Sequence, residues 1–388
     1  MSDLSSGGTE QFEFRGKAGE WFGIWIVNLL LSIITIGIYS AWAKVRTKKY
    51  FYNHTFVQGR NFDYHATGGQ ILIGRLIFIG GYIAFSLIIS LVPFLGIILV
   101  LGLLVLIPWL IVKSMQFNAR VSSFSNVRFN FVGKTGRAFV VFILMPIAAY
   151  IVIAALLGGG GALAFASGSV ALGAILGIAG IVVMFFAFPI VDKAVKQYVV
   201  NNYRLGNAEF LLDVSLKPFV KAFGFAFGWV LVVGLLSALL LGNSVVGAFE
   251  ALEALDNGGD PDPAALGVLG LLYLLFFVAL LPAGFIYQAM IRNTMYNNTT
   301  LTGGHQFRST VGPAKLLWIA LSNAIVVAFT LGLMLPWAHV RMHKYLATQT
   351  FLIPGGSLDD FVGKQVEDGM SVADAYTDLE GVDFGMPL

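Results

Sequence analysis

His339 and His343 stand four residues apart, a spacing that puts two imidazoles on one face of a helix. Such a pair holds zinc when a third ligand arrives. Position 340 is Val, so there is no HExxH, and no acid lies between Gln306 and Asp359 to complete the set. The chain has no cysteine, which removes thiolate metal sites, disulfides and a cysteine nucleophile. His54, His65 and His305 stand outside any nucleophile motif, and no Gly-rich loop ends in Lys-Ser/Thr, so there is no phosphate loop. The residues offer no catalytic set, no metal and no cofactor, and the chain reads as a non-enzyme.

Two other groups remain. Asn28, Arg75 and Asn323 are polar side chains within or beside strongly apolar runs, where an unpaired polar group is expensive and often functional. Arg75 lies four residues into its run, where its long side chain can reach an interface, or else it forms a cationic site for an anionic lipid or solute. Asn28 and Asn323 are expected to pair with each other or to cap the breaks at Thr35 and Thr330. The second group is cationic and aromatic: Trp42, Lys44, Arg46, Lys48 and Lys49, with Trp337, Arg341 and Lys344 near the other end. Clusters of this kind attract anionic headgroups by about 1 kcal/mol per cation.

The surrounding composition explains where such residues would act. Of 388 residues 57% are hydrophobic and 12% charged, about half the charge of a soluble domain. Apolar runs at Ile71–Val92, Leu95–Val112, Ala138–Leu157, Val170–Val191, Ala222–Gly242 and Ala264–Met290 each approach or exceed the roughly 20 residues that cross a hydrocarbon core. The expected fold is an all-α polytopic membrane protein of about eight apolar segments, six of them spanning. The polar start "MSDLSSGGTEQ" lacks the pattern of a cleavable signal. A net charge of +3 is too small to imply nucleic acid.

Charge placement predicts the topology. The stretches Lys44–Arg60, Lys113–Arg137 and Lys193–Lys221 are basic. Val92–Leu95 and Gly158–Ser169 carry no charge, and the loop "FEALEALDNGGDPDP" carries only acids: Glu250, Glu253, Asp256, Asp260 and Asp262. Basic and non-basic connections alternate, which puts the basic ones in the cytoplasm. The acidic loop lacks the spacing of a calcium loop and reads as a solvated outer loop.

The chain also repeats itself. A shift of 295 aligns Asn28–Phe56 with Asn323–Phe351 without gaps, and the 11 identities among 29 positions include Trp42/Trp337, Arg46/Arg341, Lys49/Lys344 and Tyr50/Tyr345. Shared lipid-like composition does not match such residues, so the two ends are copies. The phrase F-x-F-x-G-K-x-G-x-x-F occurs at Phe12–Phe22 and again at Phe129–Phe139. "NHTFVQGRNF", "NNYRLGNAEF" and "NNTTLTGGHQF" predict short β hairpins on the cytoplasmic face. The expected organisation is a polar tail over 1–11, one membrane domain over 12–351 with repeat units 12–65 and 307–356, and a polar acidic tail over 352–388. The end segments either span, as in inverted transporter repeats, or dip in and return at Thr35-Ile-Gly37 and Thr330-Leu-Gly332. Gly173 and Gly177 mark close helix packing, within the chain first and across a homo-oligomer seam as the alternative.

The residues "NLLLSIITIGIYSAWAKVRTKKYFYNHTFVQGRNFDY" and "FNARVSSFSNVRFNFVGKTG" resemble the YjgN family. The C-terminal copy departs from "AWAKVR" as "PWAHVR". The resemblance implies a multi-pass protein of the bacterial inner membrane and carries no activity or catalytic residue with it. The sequence therefore predicts a basic, aromatic inner face that binds membrane lipids, anionic ones first, or a protein partner. A small-solute transporter or channel is the alternative.

Overall fold

The computed structural model of the protein covers residues 8–373, some positions between 243 and 262 excepted. The chain forms five tandem strand–helix–helix–strand units. Unit one runs through β1 (Glu10–Gln11), β2 (Glu13–Phe14), α1 (Ala18–Ile34), α2 (Ser40–Asn53) and β3 (Thr55–Val57). Unit two is β4 (Arg60–Tyr64), α3 (Gly68–Leu91), α4 (Leu95–Arg120) and β5 (Ser122–Phe124). Unit three is β6 (Val127–Phe131), α5 (Thr135–Ser167), α6 (Val170–Asn201) and β7 (Tyr203–Leu205). Unit four is β8 (Ala208–Leu212), α7 (Lys217–Leu241), α8 (Pro263–Asn297) and β9 (Thr299–Leu301). Unit five is β10 (His305–Ser309), α9 (Pro313–Phe329), α10 (Leu335–Thr348) and β11 (Thr350–Ile353), and a last helix, α11 (Leu358–Ala373), follows it.

The expectation of an all-α fold is corrected by an 11-stranded antiparallel sheet. Each unit is joined to the next by a hairpin turn. At Gln58-Gly59 and Ser125-Asn126 both central residues have positive φ, the geometry that matches the twist of the flanking strands. The sheet begins with β1 paired to β11 and ends with β2 paired to β3. Only Phe12 separates β1 from β2, and its N–H donates to the Thr350 carbonyl at 2.9 Å. A sheet whose two edges are consecutive in sequence has curled shut. It is a barrel.

Because every unit leaves the barrel and comes back to it, all the turns between units lie on one side of the helices. Helices of neighbouring units touch in sequence, α2 with α3, α4 with α5, α6 with α7, α8 with α9, and α10 returns to α1. A ring of helices therefore stands on a ring of strands. Units two to four supply the six helices long and apolar enough to cross a membrane, matching the six expected runs. Consecutive residues there, such as Ile77, Phe78 and Ile79 at 51–58% exposure, leave much of the circumference of α3 uncovered beyond its first turns.

Units one and five are shorter. Their helices have 17 and 14 residues, about 25 and 21 Å. The turns between them are the same turn twice. Ile36 and Gly37 have φ of 50° and 86°, and Leu331 and Gly332 have 48° and 91°. Gly37 N–H donates to Ser32 O at 2.7 Å and Gly332 N–H to Val327 O at 2.8 Å. Thr35 Oγ1 and Thr330 Oγ1 each accept from the backbone four residues on, at 2.9 and 3.2 Å. The turn of unit one receives Arg75 of α3 through Ser40 Oγ. Beyond Arg75, α3 continues 16 residues, about 24 Å, so the tip of unit one stops well short of the tip of unit two.

Two segments read as tails hold ordered elements. Glu10–Gln11 closes the barrel, and α11 lies across its far mouth with Leu358 and Val362 buried among Val57, Leu205 and Leu352. Glu250 and Glu253 are described, whereas Asp256, Asp260 and Asp262 of the acidic loop lie outside the described residues. Between α5 and α6 the close approach is at Gly160, Gly173 and Gly180, where an added Cβ would meet Leu176, Ala164 or Leu157 at 2.5–2.6 Å; Gly177 faces open space.

Phe12→Ala is expected to lower stability by about 2–3 kcal/mol, somewhat less than a fully buried Phe→Ala change, because it weakens the closing strand. A thermal melt of the detergent-solubilised protein measures it, and an unchanged midpoint would mean that closure contributes nothing.

Candidate functional site

Superposing the five units in register places equivalent residues in rings around one axis. Phe12, Phe62, Phe129, Phe210 and Phe307 are each the third residue of a five-residue strand segment. Successive members stack at 6.2 Å (Phe12 on Phe62), 6.4 Å (Phe129 on Phe210) and 6.1 Å (Phe210 on Phe307). Below them, toward α11, lie Val57, Phe124, Leu205, Leu301 and Leu352, all buried. Above them, where strands meet helices, are Thr55, Ser122, Tyr203, Thr299 and Thr350. Four of these five hydroxyls donate to the carbonyl four residues back, at 2.7–2.8 Å, and so close the last helical turn. The rings enclose an axial cavity of about 690 Å³. Burial beneath this roof pushes the Tyr203 phenol up to about 12.

This geometry explains the repeated phrase F-x-F-x-G-K. A period of two puts both phenylalanines on the inner face of a strand. Phe12 and Phe129 line the cavity, and Phe14 and Phe131 are buried one layer up under the helices. At Gly16 and Gly133 an added Cβ would come within 2.4–3.0 Å of that second ring and of a tyrosine hydroxyl. The hydroxyl is a clamp: Tyr50 Oη accepts from Lys17 N–H at 2.8 Å and donates to Lys17 O at 2.9 Å. Tyr198 Oη donates to Lys134 O at 3.2 Å, and Tyr345 treats Gly312, the counterpart of Lys17, in the same way as Tyr50 does. The phrase positions a helix start. It carries no chemistry of its own.

The sequence-derived polar sites resolve individually. The expected pairing of Asn28 with Asn323 is corrected, because each serves its own unit. Arg46 Nη1 donates to Asn28 Oδ1 at 3.2 Å, and Arg341 Nη1 donates to Asn323 Oδ1 at 2.7 Å and to Ser322 Oγ at 2.7 Å. Asn323 Nδ2 also donates to Ala338 O at 3.1 Å, whereas Asn28 Nδ2 is buried without a partner. A guanidinium on the returning helix thus holds the amide on the outgoing one. The Arg341 guanidinium also lies 5.1 Å over the Trp337 ring. Trp42 packs against the start of α3, where an added Cβ on Gly68 would fall 2.4 Å from its ring. Lys48 donates to Asn118 Oδ1 at 3.1 Å, Lys44 is half-buried, and Lys49 and Lys344 are exposed. The His343 ring stacks on Phe51 at 4.1 Å, and Asp192 accepts from Tyr287 Oη at 2.6 Å.

Where the units differ, the cavity gains polarity. Lys48, Met115, Lys196, Arg292 and His343 are equivalent positions on the returning helices, and only Arg292 and His343 line the cavity. Sequence reasoning missed Arg292, which closes a long apolar run and resembles an interfacial cation. The signal was available in the register of the five helix ends. His305 lies at the α11 end, 2% exposed, with its Nδ1 accepting from Gly355 N–H at 3.3 Å. Gly355 is obligatory there, since a Cβ would stand 2.4–2.6 Å from the Gly303 and Gly304 backbone.

A polytopic protein with six helices long and apolar enough to span a membrane, set on a closed barrel and without an assembled catalytic set among the described residues, is the class these features define. The profile of the family described as "Bacterial protein of unknown function (DUF898)" matches residues 9–379, and the chain belongs to that family. It is 30% identical over 350 residues to the inner membrane protein YjgN of Salmonella typhimurium, covering 87% of each chain. To YjgN of Escherichia coli O157:H7 it is 26% identical over 371 residues, covering 91% of this chain and 90% of that one. No solved structure matches it. The chain is a multi-pass inner-membrane protein.

A double-mutant cycle on Asn323→Leu and Arg341→Met should return a coupling of about 1.5–3 kcal/mol, the range for hydrogen bonds to charged groups, and additive losses would show that the pair does not interact. Burial lowers the His305 pKa below 6.5. The unfolded chain then binds the proton more readily, so stability is full above pH 6.5 and falls as pH drops through the lowered folded-state value. Protease cutting after residue 355 should rise with acidification in the parent protein and not in His305→Gln.

Proposed function

We propose that this protein is a non-catalytic membrane component whose barrel side faces the cytoplasm and binds anionic lipid headgroups. The observation that carries the reading is the level of the cations. Lys49, Lys134, Arg137, Lys217, Lys221 and Lys344 are exposed and sit in the strand–helix junctions or the helix turns next to the barrel. They form a collar at one height, interleaved with aromatic residues, as the positive-inside rule and the interfacial preference of aromatics require of one leaflet. In this disposition units two to four span. Units one and five dip into the leaflet and return, and both termini are cytoplasmic.

The rival reading, a transporter or channel for a small solute, takes support from the closed helix ring. A mid-depth path would need polar lining. Asn28, Asn323 and Arg75 would have provided it, but they are engaged with Arg46, Arg341 and Ser40, and none lines the cavity. A collar of about 1 kcal/mol per cation is the stronger basis for binding.

Reporter fusions at both ends should give cytoplasmic signals, and an external signal at either end would overturn re-entrance there. In nanodiscs, substituting Gln at Lys49, Lys134, Lys217 and Lys344 should weaken retention of phosphatidylglycerol roughly fivefold per charge removed. Unchanged retention would remove the collar as a lipid site.

A further inference from the structure

We propose that the axial cavity is a binding site for an anionic single-chain amphiphile, with Arg292 holding its carboxylate or phosphate head and the phenylalanine ring taking the chain next to the head. This goes beyond lipid binding at the outer collar, because the site is internal and its residues are different ones.

Arg292 carries an unbalanced charge. Arg292 lines the cavity from the last turns of α8. One Nη donates to Thr350 Oγ1 at 2.8 Å, and the guanidinium lies 4.4 Å over the Tyr296 ring. Its Nε is buried with no partner, and among the described residues it forms no ion pair. Among the described residues the cavity lining contains no carboxylate. A guanidinium has five donors in a fixed fork that suits a carboxylate or phosphate in two-point contact. Removing such a charge from water without an anion is costly, and a bound anion offsets that cost.

The space around it has the shape and polarity of an amphiphile site. A volume of about 690 Å³ falls in the range of small-molecule sites and far exceeds the space a bare inorganic anion needs. The walls are mostly apolar: Phe12, Phe62, Phe129, Phe210 and Phe307 face inward at half-burial because they border the cavity. Phe361 and Leu358 of α11 close the far end. A ligand with one anionic end and an apolar remainder satisfies both the cation and the walls, whereas a free anion would leave the walls wet.

Symmetry fails at this position. At the helix position of Arg292 the other units place Lys48, Met115, Lys196 and His343, and Lys48 is occupied by Asn118. Three rings of equivalent residues recur around the axis, one member from each unit. Arg292, with His343 beside the same space, is the departure that polarises one side of the axis. α11 covers the barrel mouth, so the cavity is closed at that end.

The test uses the full chain in detergent, with displacement of the fluorescent fatty acid cis-parinarate as the readout. Oleate, oleoyl lysophosphatidate, oleyl alcohol and inorganic phosphate are the competitors, and the tighter of the first two identifies the head group. Arg292→Gln should weaken oleate binding at least tenfold, Arg292→Lys should recover part of it, and Ala347→Trp, which puts an indole into the same cavity from the neighbouring unit, should abolish it. The collar variant with Gln at Lys49, Lys134, Lys217 and Lys344 should bind oleate as the parent does, so this proposal and the collar can fail separately. Parental affinity in a folded Arg292→Gln, or in Ala347→Trp should Arg292→Gln not fold, would overturn the site. Displacement by inorganic phosphate as effective as by oleate, or oleyl alcohol binding as tightly as oleate, would overturn the amphiphile.

Discussion

Closure of the barrel is the constraint on which the rest depends. A strand edge exposes unpaired N–H and C=O groups, and a short sheet with two edges would be both weak and prone to pairing with other chains. Residues 10–14 remove both edges at once, pairing with β11 on one side and β3 on the other. That contact joins the first unit to the last and fixes the circle. The helices have no independent means of forming a ring, since much of their surface away from the barrel is uncovered. Their order around the axis is imposed from below, through the tyrosine clamps, the closed last turns and the aromatic layer beneath each helix pair.

Repetition and divergence divide the labour. The rings of phenylalanine, of small hydroxyl-bearing residues and of deep aliphatic residues recur in all or nearly all units because each unit solves the same packing problem. Helix length diverges: the outer units keep helices of 17 and 14 residues while the inner three extend theirs to 24–35. Polarity diverges too: of the five equivalent positions Lys48, Met115, Lys196, Arg292 and His343, only Arg292 and His343 face the cavity. In the outer units an arginine two turns before the strand is used instead to hold an asparagine, which fixes the angle of a short hairpin that lacks the length to be held by packing alone.

Several features were legible in the residues because they depend on local rules. The six long helices follow from apolar runs near the length of a bilayer core. The hairpin at Gln58-Gly59 and the turns at Gly37 and Gly332 follow from glycine's freedom at positive φ, and the structure has φ of 72°, 86° and 91° there. The copy relation between the two ends was visible because units one and five have helices of equal length, so one constant shift aligns them. Units two, three and four escaped the same comparison for that reason: their helices differ in length, and the shift changes between the outgoing and the returning helix. The hairpin at Ser125-Asn126 was also missed, since two non-glycine residues make its turn at φ of 48° and 66°.

What the residues alone determined is the class of molecule and its six long apolar segments, because hydropathy acts on each segment independently of the others. Only the tertiary structure decided that eleven short strands close into one barrel, that Asn28 and Asn323 belong to separate arginines, and that a cavity with Arg292 at its wall lies on the axis. Those outcomes depend on which distant residues share a register. Pairing across hundreds of residues is set by closure of the whole circle and by no local preference of the segments that meet.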